Sequence, residues 1–223
     1  MNALVPIEGA KGGVSPPYEA PNSLRAKQIL HAIFLLGEGP AKGLWDGGKS
    51  IFFGDPPVPL VAADGSANVL GVEWALRDGS PGQTPFPGIP AVETLIPVGV
   101  RVTQAGGPII RSVDCANVDR IKFITTVPAL VKVDANTGDQ LPTSVSYTVE
   151  WREAGTNDPW LTLFEDTISG KCVAPYPRMI TVACPAKTQL EFRMVRITPD
   201  SNSTSLSNDI YWTAVNTVTD RKL

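Results

Sequence analysis

The chain has 223 residues, of which 43% are apolar and 18% are charged, a balance that supplies a buried core and is not typical of disordered chains. Its 19 basic and 22 acidic side chains give a net charge of −3, without the basic excess usual in nucleic-acid-binding proteins. No apolar run reaches the roughly 20 residues of a membrane-spanning helix, and the first residues lack a signal-peptide pattern. We therefore expect a soluble protein made in a cytoplasm.

The counts of particular residue types favour an all-β protein without a metal centre. There are 20 glycines and 21 prolines, and the prolines are scattered so that they leave no long helical window. The single histidine excludes a multi-histidine metal site, and the three cysteines have neither disulfide-framework nor zinc spacing. We expect three buried or half-buried thiols.

The first part of the chain predicts an arm followed by short strands. Residues 1–23 are rich in Gly, Pro and small side chains, which indicates an extended arm that becomes ordered only against a neighbour. Residues 24–36 fit either a short helix or a strand that stops at the Gly37–Pro40 turn. Residues 50–53 predict a second short strand, and the alternation in 68–77 predicts a half-buried strand.

A boundary follows, and beyond it the pattern is that of a β-sandwich. Four prolines between Gly79 and Pro90 exclude both a helix and a central strand. About seven strand patterns separated by turns come next, which is typical of an immunoglobulin or fibronectin type III fold. They span 98–102, 118–133, 145–151, 160–164, 179–183, 190–197 and 209–218. The Cys–Trp–Cys spacing of true immunoglobulin domains is missing, so the fibronectin-like version is favoured, with Trp151, Phe192 and Trp212 as core candidates.

One motif suggests nucleotide binding, but its surroundings argue against it. Residues Gly43–Ser50 match the P-loop pattern GxxxxGK[ST]. A P-loop needs a helix directly after it, whereas the following Ile51–Phe53 run meets the Gly54–Pro57 turn signal. Asp46 would also place a carboxylate among the phosphates. We predict a β-hairpin turn here and no nucleotide site.

The remaining candidates do not form a catalytic constellation. No nucleophile or carboxylate motif accompanies His31, and the acidic residues are dispersed along the chain. The five tryptophans lie at strand positions and are expected to be core or interface anchors. We expect a structural or binding protein that is not an enzyme, with no catalytic residue, cofactor or metal ligand.

Three stretches resemble one family when they are taken together, in order and at their spacing. They are 24–58, with Glu38-Gly39-Pro40 and Asp46-Gly47 inside it; 116–130, which begins ANVDRIKF; and 193–212, which begins RMVRITPDS. The chain is similar, over about residues 20–220, to the N-terminal part of the tip-attachment (host-specificity) protein of lambda-like tailed phages. In that family the region belongs to a trimeric hub at the distal end of the tail.

The resemblance implies an all-β chain in which a fibronectin-III-like β-sandwich is inserted into a partial hub β-domain. It divides the chain into an arm (1–23), a hub portion (24–87), the sandwich (88–212) and a return strand to the hub (213–223). It further implies a structural role in closing the distal tail tube and organising the receptor-recognition and DNA-ejection machinery, whereas receptor recognition itself is not carried over to this chain. The implied location is the virion tail tip, after assembly in the host cytoplasm.

The resemblance also implies partners and interface residues. The partners are two further copies in a homotrimer, the remainder of the hub protein, the distal tail and tail-tip ring proteins and the C-terminus of the tape-measure protein, with no direct nucleic-acid contact. The interface candidates are Pro16, Pro17, Tyr18, His31, Glu38, Gly39, Pro40 and Trp45.

The family's proteins continue for many hundreds of residues beyond the stretch that this chain resembles. Either the hub is split between two polypeptides, or the sequence is a fragment. In both cases we expect residues 24–80 to lack strand partners within the chain, so that the chain is an obligate subunit. The alternative function is a stand-alone phage adhesin or carbohydrate-binding β-sandwich, which would be a folded monomer.

Overall fold

The computed structural model describes residues 16–26, 29–84, 86 and 90–220. The chain forms two compact units. The sandwich unit comprises the described residues of 1–28 and 92–219, and the minor unit comprises those of 29–91 together with Asp220. Apart from one 3₁₀ helix, every regular element in these described ranges is a β-strand, so the all-β prediction is confirmed.

The elements follow one another along the chain in a simple order. The 3₁₀ helix (Gly47–Ser50) precedes all of the strands. The strands are β1 (Phe52–Phe53), β2 (Val58–Pro59), β3 (Pro90–Val102), β4 (Ile109–Asp114), β5 (Arg120–Val127), β6 (Val131–Val133), β7 (Gln140–Leu141), β8 (Thr143–Glu153), β9 (Leu161–Gly170), β10 (Tyr176–Ala183), β11 (Gln189–Arg196), β12 (Leu206–Ser207) and β13 (Ile210–Asp220).

Two four-stranded sheets build the sandwich. One has the strand order β10-β5-β13-β3 and the other the order β4-β11-β8-β9. The pairs β5–β10, β5–β13, β4–β11, β8–β11 and β8–β9 are antiparallel. Strands that are distant in sequence thus become neighbours, as in fibronectin-like sandwiches.

The core follows from the two-residue period of the strands. On β5 every second residue from Ile121 to Val127 is buried, and the residues between them are half-exposed. Phe123 is central, with its ring edge-on to Phe164 and Phe192 at centroid distances of 5.5 and 5.4 Å. Of the predicted core residues, Phe192 and Trp212 are fully buried, whereas Trp151 is only partly buried at the margin of the core.

A third sheet, β12-β6-β7, lies beside the sandwich and is extended by the N-terminal arm. Glu19 forms a parallel bridge with Gln140 of β7. The arm residues described here, from Pro16 onward, therefore pack on their own chain, which differs from the prediction that the arm is ordered only by a neighbour. Residues 1–15 of that predicted arm lie outside the described residues.

The minor unit has little regular structure. β1 and β2 form a two-residue hairpin, and the Leu60 N–H donates to the Ile51 carbonyl at 2.7 Å to extend it. Gly48 packs so closely that an added Cβ would lie 2.7 Å from Val61 Cγ2 and 3.3 Å from the Trp74 indole nitrogen. A small folded turn therefore organises the stretch from the 3₁₀ helix to Trp74.

Two of the sequence predictions differ from the observed elements. The strand predicted for residues 68–77 is wrong: this stretch is irregular and Leu70 is exposed, because no neighbouring strand is present in the described chain to pair with it. The boundary predicted after residue 212 also falls inside β13. Residues 213–218 stay in the sandwich because they remain in register with β5 as far as Val218.

Candidate interaction surfaces

The minor unit exposes an unusual amount of apolar surface. Within the described residues of 29–91, only Gly48 and Leu60 are buried. The exposed large apolar side chains of this unit are Ile29, Leu30, Ile33, Phe34, Leu35, Leu36, Trp45, Phe52, Phe53, Val58, Leu70, Val72 and Trp74. Soluble monomers rarely leave this many large apolar side chains of one unit in water, so the surface that carries them is the leading candidate for contact with another protein.

The segment Ile29–Leu36 is the most exposed part of that surface. Its backbone is outside any helix or strand, and no hydrogen bond joins it to a described residue. Leu30 and Leu35 are 90% and 87% exposed. His31, one of the predicted interface residues, lies in this segment and is exposed as well.

The next interface candidates form a bend that packs against residues 78 and 79 of the same unit. Glu38, Gly39 and Pro40 are exposed, and the Ala41 N–H donates to the Asp78 carbonyl at 2.7 Å. Gly79 has a φ of +82° and approaches this bend so closely that a Cβ would lie 2.6 Å from the Gly39 carbonyl oxygen. The structure therefore gives this bend an intrachain role, and its contact with another subunit stays a prediction.

Trp45 is the most exposed tryptophan in the described chain. It is 101% exposed and lies in the turn that leads into the 3₁₀ helix. An indole ring left entirely in water contributes nothing to the core, whereas tryptophan is enriched in the centres of protein interfaces. This position fits the predicted interface role.

The P-loop-like residues form a closed turn. A four-residue 3₁₀ helix and then β1 follow Asp46, in place of the α-helix that a phosphate site requires. The Asp46 N–H donates to the Ser50 hydroxyl at 3.0 Å, and Lys49 Nζ donates to the Ala63 carbonyl at 3.1 Å. Lys49 and Ser50 are the two side chains that would serve a nucleotide in a P-loop. Here both hold the turn through these hydrogen bonds.

The predicted arm residues Pro16, Pro17 and Tyr18 lie along β7. The Tyr18 N–H donates to Asp139 Oδ1 at 2.6 Å, and the Tyr18 carbonyl accepts from the Gln140 N–H at 2.8 Å. The Tyr18 ring remains exposed. The backbone of this segment is therefore committed to its own sandwich, while its side chains remain accessible for the predicted contact with a neighbour.

A buried lysine fastens the arm. Lys171 is fully buried, and its ammonium donates to Glu19 Oε1 at 2.9 Å and to the Ala20 carbonyl at 2.7 Å. The Lys171 carbonyl accepts the N–H groups of Ser23 and Leu24. A buried ammonium is tolerated only when it is paired in this way, so loss of the arm would leave it uncompensated.

A second buried cation organises one end of the sandwich. The Arg196 guanidinium donates to the carbonyls of Thr198 and Asn208 and to Asn208 Oδ1, at 2.8–3.0 Å. Its Nε also lies 3.3 Å from Asp200, whose carboxylate accepts the N–H groups of Gln104 and Ala105. These two backbone hydrogen bonds are the main cause that lowers the pKa of Asp200 below its usual range.

Neither buried cation is among the site residues predicted from the sequence. For Arg196 a signal exists, because the alternation of β11 places it on the same inward face as Phe192 and Met194. It also lies in the RITPD stretch that resembles the phage family. For Lys171 no pattern in the sequence predicts burial, because the arm that covers it lies about 150 positions earlier.

The outer face of the second sheet carries a stack of charged and aromatic side chains. The guanidinium carbons of Arg152 and Arg193 lie 4.4 and 4.5 Å from the Trp160 ring centroid. Each arginine also pairs with a glutamate on the facing strand, Arg152 with Glu191 and Arg193 with Glu150. This arrangement stiffens the sheet and leaves these charges internally paired.

The described residues offer no conventional reactive centre. They contain no group of three His, Cys, Asp or Glu side chains placed to hold a metal ion. The three cysteines are free thiols, as predicted, and burial raises the pKa of Cys115 and of Cys172, so both stay protonated at neutral pH. None of the helices described is long and apolar enough to span a bilayer.

Comparison with known proteins identifies relatives among bacteriophages. A family model described as the FNIII-A domain of tip attachment protein J matches residues 92–221. Tip attachment protein J of Escherichia phage SECphi4 is 26% identical over 231 aligned positions, which cover 100% of this chain and 20% of that protein. The protein of the same name from Escherichia phage SECphi27 is also 26% identical, over 97% of this chain and 18% of that protein. The chain spans about a fifth of the length of these relatives.

Similarity to solved structures is weak. A crystal structure of a protein from Sulfurospirillum deleyianum shares 12% identity and a TM-score of 0.32, over 58% of this chain and 99% of that one. A structure described as "CBM4 structure and function" shares 10% identity and a TM-score of 0.27, over 59% of this chain and 71% of that one. At these TM-scores neither likeness bears on function.

The matched residues and the observed fold agree. The family match begins and ends within two residues of the part of the sandwich unit that runs from Val92 to Thr219. It covers more than half of the chain, and the curated relatives align with nearly all of it, so the resemblance seen in the sequence is confirmed. The chain therefore belongs to the family of the FNIII-A domain of tip attachment protein J.

Proposed function

We propose that the chain is a non-enzymatic structural subunit of a siphophage tail-tip hub, which closes the distal tail tube and organises receptor recognition and DNA ejection. The observation that carries the proposal is that most of the large apolar side chains of residues 29–91 are exposed within the described chain. Burial of a Leu, Ile or Phe side chain is worth about 1.5–3 kcal/mol, so a surface with this many exposed side chains strongly favours association. The obligate-subunit hypothesis accounts for it directly.

The proposed assembly contains further copies of the chain and other tail proteins. We propose a homotrimer that also contacts the remainder of the hub protein, the tail-tip ring proteins and the C-terminus of the tape-measure protein. The proposed interface residues of the minor unit are Trp45, His31 with its segment, and the bend at Glu38–Pro40. Those of the sandwich unit are Pro16, Pro17 and Tyr18. The complex resides at the virion tail tip after assembly in the host cytoplasm.

The sandwich fits a load-bearing role better than a catalytic one. Its charged side chains are largely used in internal pairs such as Arg152–Glu191 and Lys122–Glu93. The outer face of one sheet is stiffened by the Trp160 stack, and buried cations fix both the arm and one end loop. Such features resist deformation when force passes through a domain.

The test is the mass of the purified chain in solution, measured by light scattering, alone and with the polypeptide that carries the rest of the family's sequence in the same phage. We expect polydisperse association of the chain alone and a defined complex containing three copies once the second polypeptide is present. A stable monomer that ignores the second polypeptide would overturn the proposal. That outcome, together with measurable glycan binding, would favour the alternative of a stand-alone adhesin.

A further inference from the structure

Two connecting loops run side by side at one end of the sandwich. One joins β4 to β5 and the other joins β10 to β11, so each passes from one sheet to the other. The Cys115 N–H donates to the Thr188 carbonyl at 3.0 Å, and the Cys184 N–H donates to the Asp119 carbonyl at 2.9 Å. The two loops are therefore hydrogen-bonded to each other near both of their ends.

Each of these loops carries one cysteine, and the two thiols lie together at the core. Cys115 is fully buried and Cys184 is half-buried. Burial, and then a hydrogen bond to the Cys184 thiol, raises the pKa of Cys115. Cys184 Sγ in turn donates to the Ala186 carbonyl at 3.3 Å. The third cysteine, Cys172, lies elsewhere, where its backbone bridges to Leu130.

The surroundings of this thiol pair suit a covalent bond between the sulfurs. An S–S bond is only about 2.05 Å long, so it forms without strain only where the backbone already holds the two sulfurs close. The two hydrogen-bonded loops provide this, and Lys187 adds a further link by donating to Asp119 Oδ1 at 2.8 Å. A reagent in solution reaches Cys184 first, because it is the one cysteine that is not fully enclosed.

We propose that Cys115 and Cys184 form a disulfide that ties the two sheets of the sandwich together when the chain meets a low-molecular-weight disulfide such as oxidised glutathione. The Cys184 thiolate attacks one sulfur of the reagent, which forms a mixed disulfide and releases one glutathione thiolate. The Cys115 thiolate then attacks the Cys184 sulfur and releases the second. Two protein thiols are oxidised, one glutathione disulfide is reduced, and the two protons of the protein thiols pass to the two glutathiones.

This chemistry does not depend on the proposed function, but that function supplies an occasion for it. A reducing cytoplasm keeps thiols free during assembly, whereas the medium outside a cell allows disulfides to persist. The cross-link would therefore form after the virion leaves its host. It would reinforce the sandwich at the stage when the tail tip meets a new cell.

The first test treats the purified full chain with oxidised glutathione, then denatures it, alkylates the remaining thiols and maps the tryptic peptides by mass spectrometry. We expect a chain that has lost two hydrogens, carries one alkyl group at Cys172 and yields a peptide pair joining Cys115 to Cys184. Alkylation of all three cysteines, a glutathione adduct on Cys184 that never resolves, or a disulfide between two chains would overturn the proposal.

Three single variants separate the two chemical steps. Cys115→Ala removes the thiol that resolves the mixed disulfide, so the glutathione adduct on Cys184 should accumulate. Cys184→Ala removes the point of entry, and we expect reaction with glutathione to slow at least tenfold. Cys172→Ala is the matched control, because Cys172 is also a buried thiol whose pKa is raised by burial, and this variant should cross-link at the wild-type rate. Loss of the cross-link in Cys172→Ala would contradict the assignment. If a variant does not fold, the wild-type peptide map decides.

The second test is the thermal midpoint of the cross-linked and reduced chains. A disulfide that fits the native loops restricts the unfolded chain, so we expect the midpoint to rise by roughly 5–15 °C and to return to the reduced value on addition of dithiothreitol. Cys115→Ala should show no such rise. An unchanged or lower midpoint in the cross-linked wild type would mean that the bond strains the loops, and it would overturn the proposed reinforcement.

Discussion

At the scale of single residues, one end of the sandwich is held together by a hydrogen-bonded network around Arg196 and Asp200. The Arg196 guanidinium donates to three backbone carbonyls and to the Asn208 side chain at once, which a lysine ammonium does not reproduce. Asp200 completes the network by accepting two N–H groups from the turn that follows β3. Two loops far apart in sequence are thereby fixed to each other.

The lowered pKa of Asp200 makes this contact sensitive to acid. A carboxyl group whose pKa is lower in the folded than in the unfolded state stabilises the fold above its ordinary pKa, near 3.9, and this contribution is lost as the pH falls through the lower folded value. We expect Asp200→Asn to lower the thermal midpoint of the chain at pH 7. Below the folded pKa the wild-type group is neutral too, so the difference should vanish.

The measurement is the thermal midpoint of both proteins between pH 2 and 7, with Asp158→Asn as the control because Asp158 lies on an exposed loop. The control is expected to follow the wild type. A difference between Asp200→Asn and the wild type that is independent of pH would contradict an electrostatic role for the carboxylate.

At the scale of elements, the strands of the second sheet are held together on their outer face by Trp160. We expect Trp160→Ala to destabilise the chain by about 2 kcal/mol, because two cation–π contacts and the packing of a half-buried ring are lost together. The free energy of unfolding is obtained from urea denaturation of the full chain, followed by far-UV circular dichroism at low micromolar concentration.

Trp45→Ala is the matched control, since Trp45 is fully exposed. We expect it to change the stability of the isolated chain by less than about 0.5 kcal/mol and to weaken the complex with the remaining family sequence. If Trp45→Ala destabilises the chain as much as Trp160→Ala does, the assignment of separate structural and interface roles is wrong.

How far the sequence predicts this fold depends on whether a predicted strand finds its partners within the described chain. The alternation in residues 145–151 predicts β8 well, because that strand is buried against neighbours within its own chain. Residues 68–77 have an equally regular alternation and form no strand, because the described chain offers them no partner. Periodicity reports which face a strand would bury, and the partner decides whether the strand forms. For the same reason the sequence predicts an extended arm but does not predict that it packs on Lys171, since that contact depends on tertiary structure alone.

At the scale of the whole molecule, the two units differ in how their apolar residues are used. The sandwich unit buries a continuous core from Val102 to Val215, whereas the minor unit buries a single large apolar side chain, Leu60, within its described residues. The free energy of local unfolding rises with the number of buried apolar contacts, so we expect the minor unit to unfold locally far more readily than the sandwich unit.

Limited proteolysis of the isolated chain with chymotrypsin tests this difference. We expect the first cuts at Phe34, Leu35 and Leu36, because an extended and exposed segment fits a protease cleft, and we expect a fragment containing Val92–Thr219 to persist. The polypeptide that completes the assembly should slow these cuts at least tenfold. Initial cleavage at Phe123 or Phe192, inside the sandwich, would contradict the assignment.

The side-by-side position of β3 and β13 has a consequence for how the sandwich joins the rest of its chain. Asn216 donates to Glu93 at 2.8 Å, and Arg101 pairs with Asp209 at 2.7 Å, so the beginning of β3 lies beside the end of β13. When the first and last strands of a domain lie side by side, the polypeptide enters and leaves at one place, which is the geometry that tolerates insertion of one domain into another. The Val92–Thr219 part of the sandwich has this geometry.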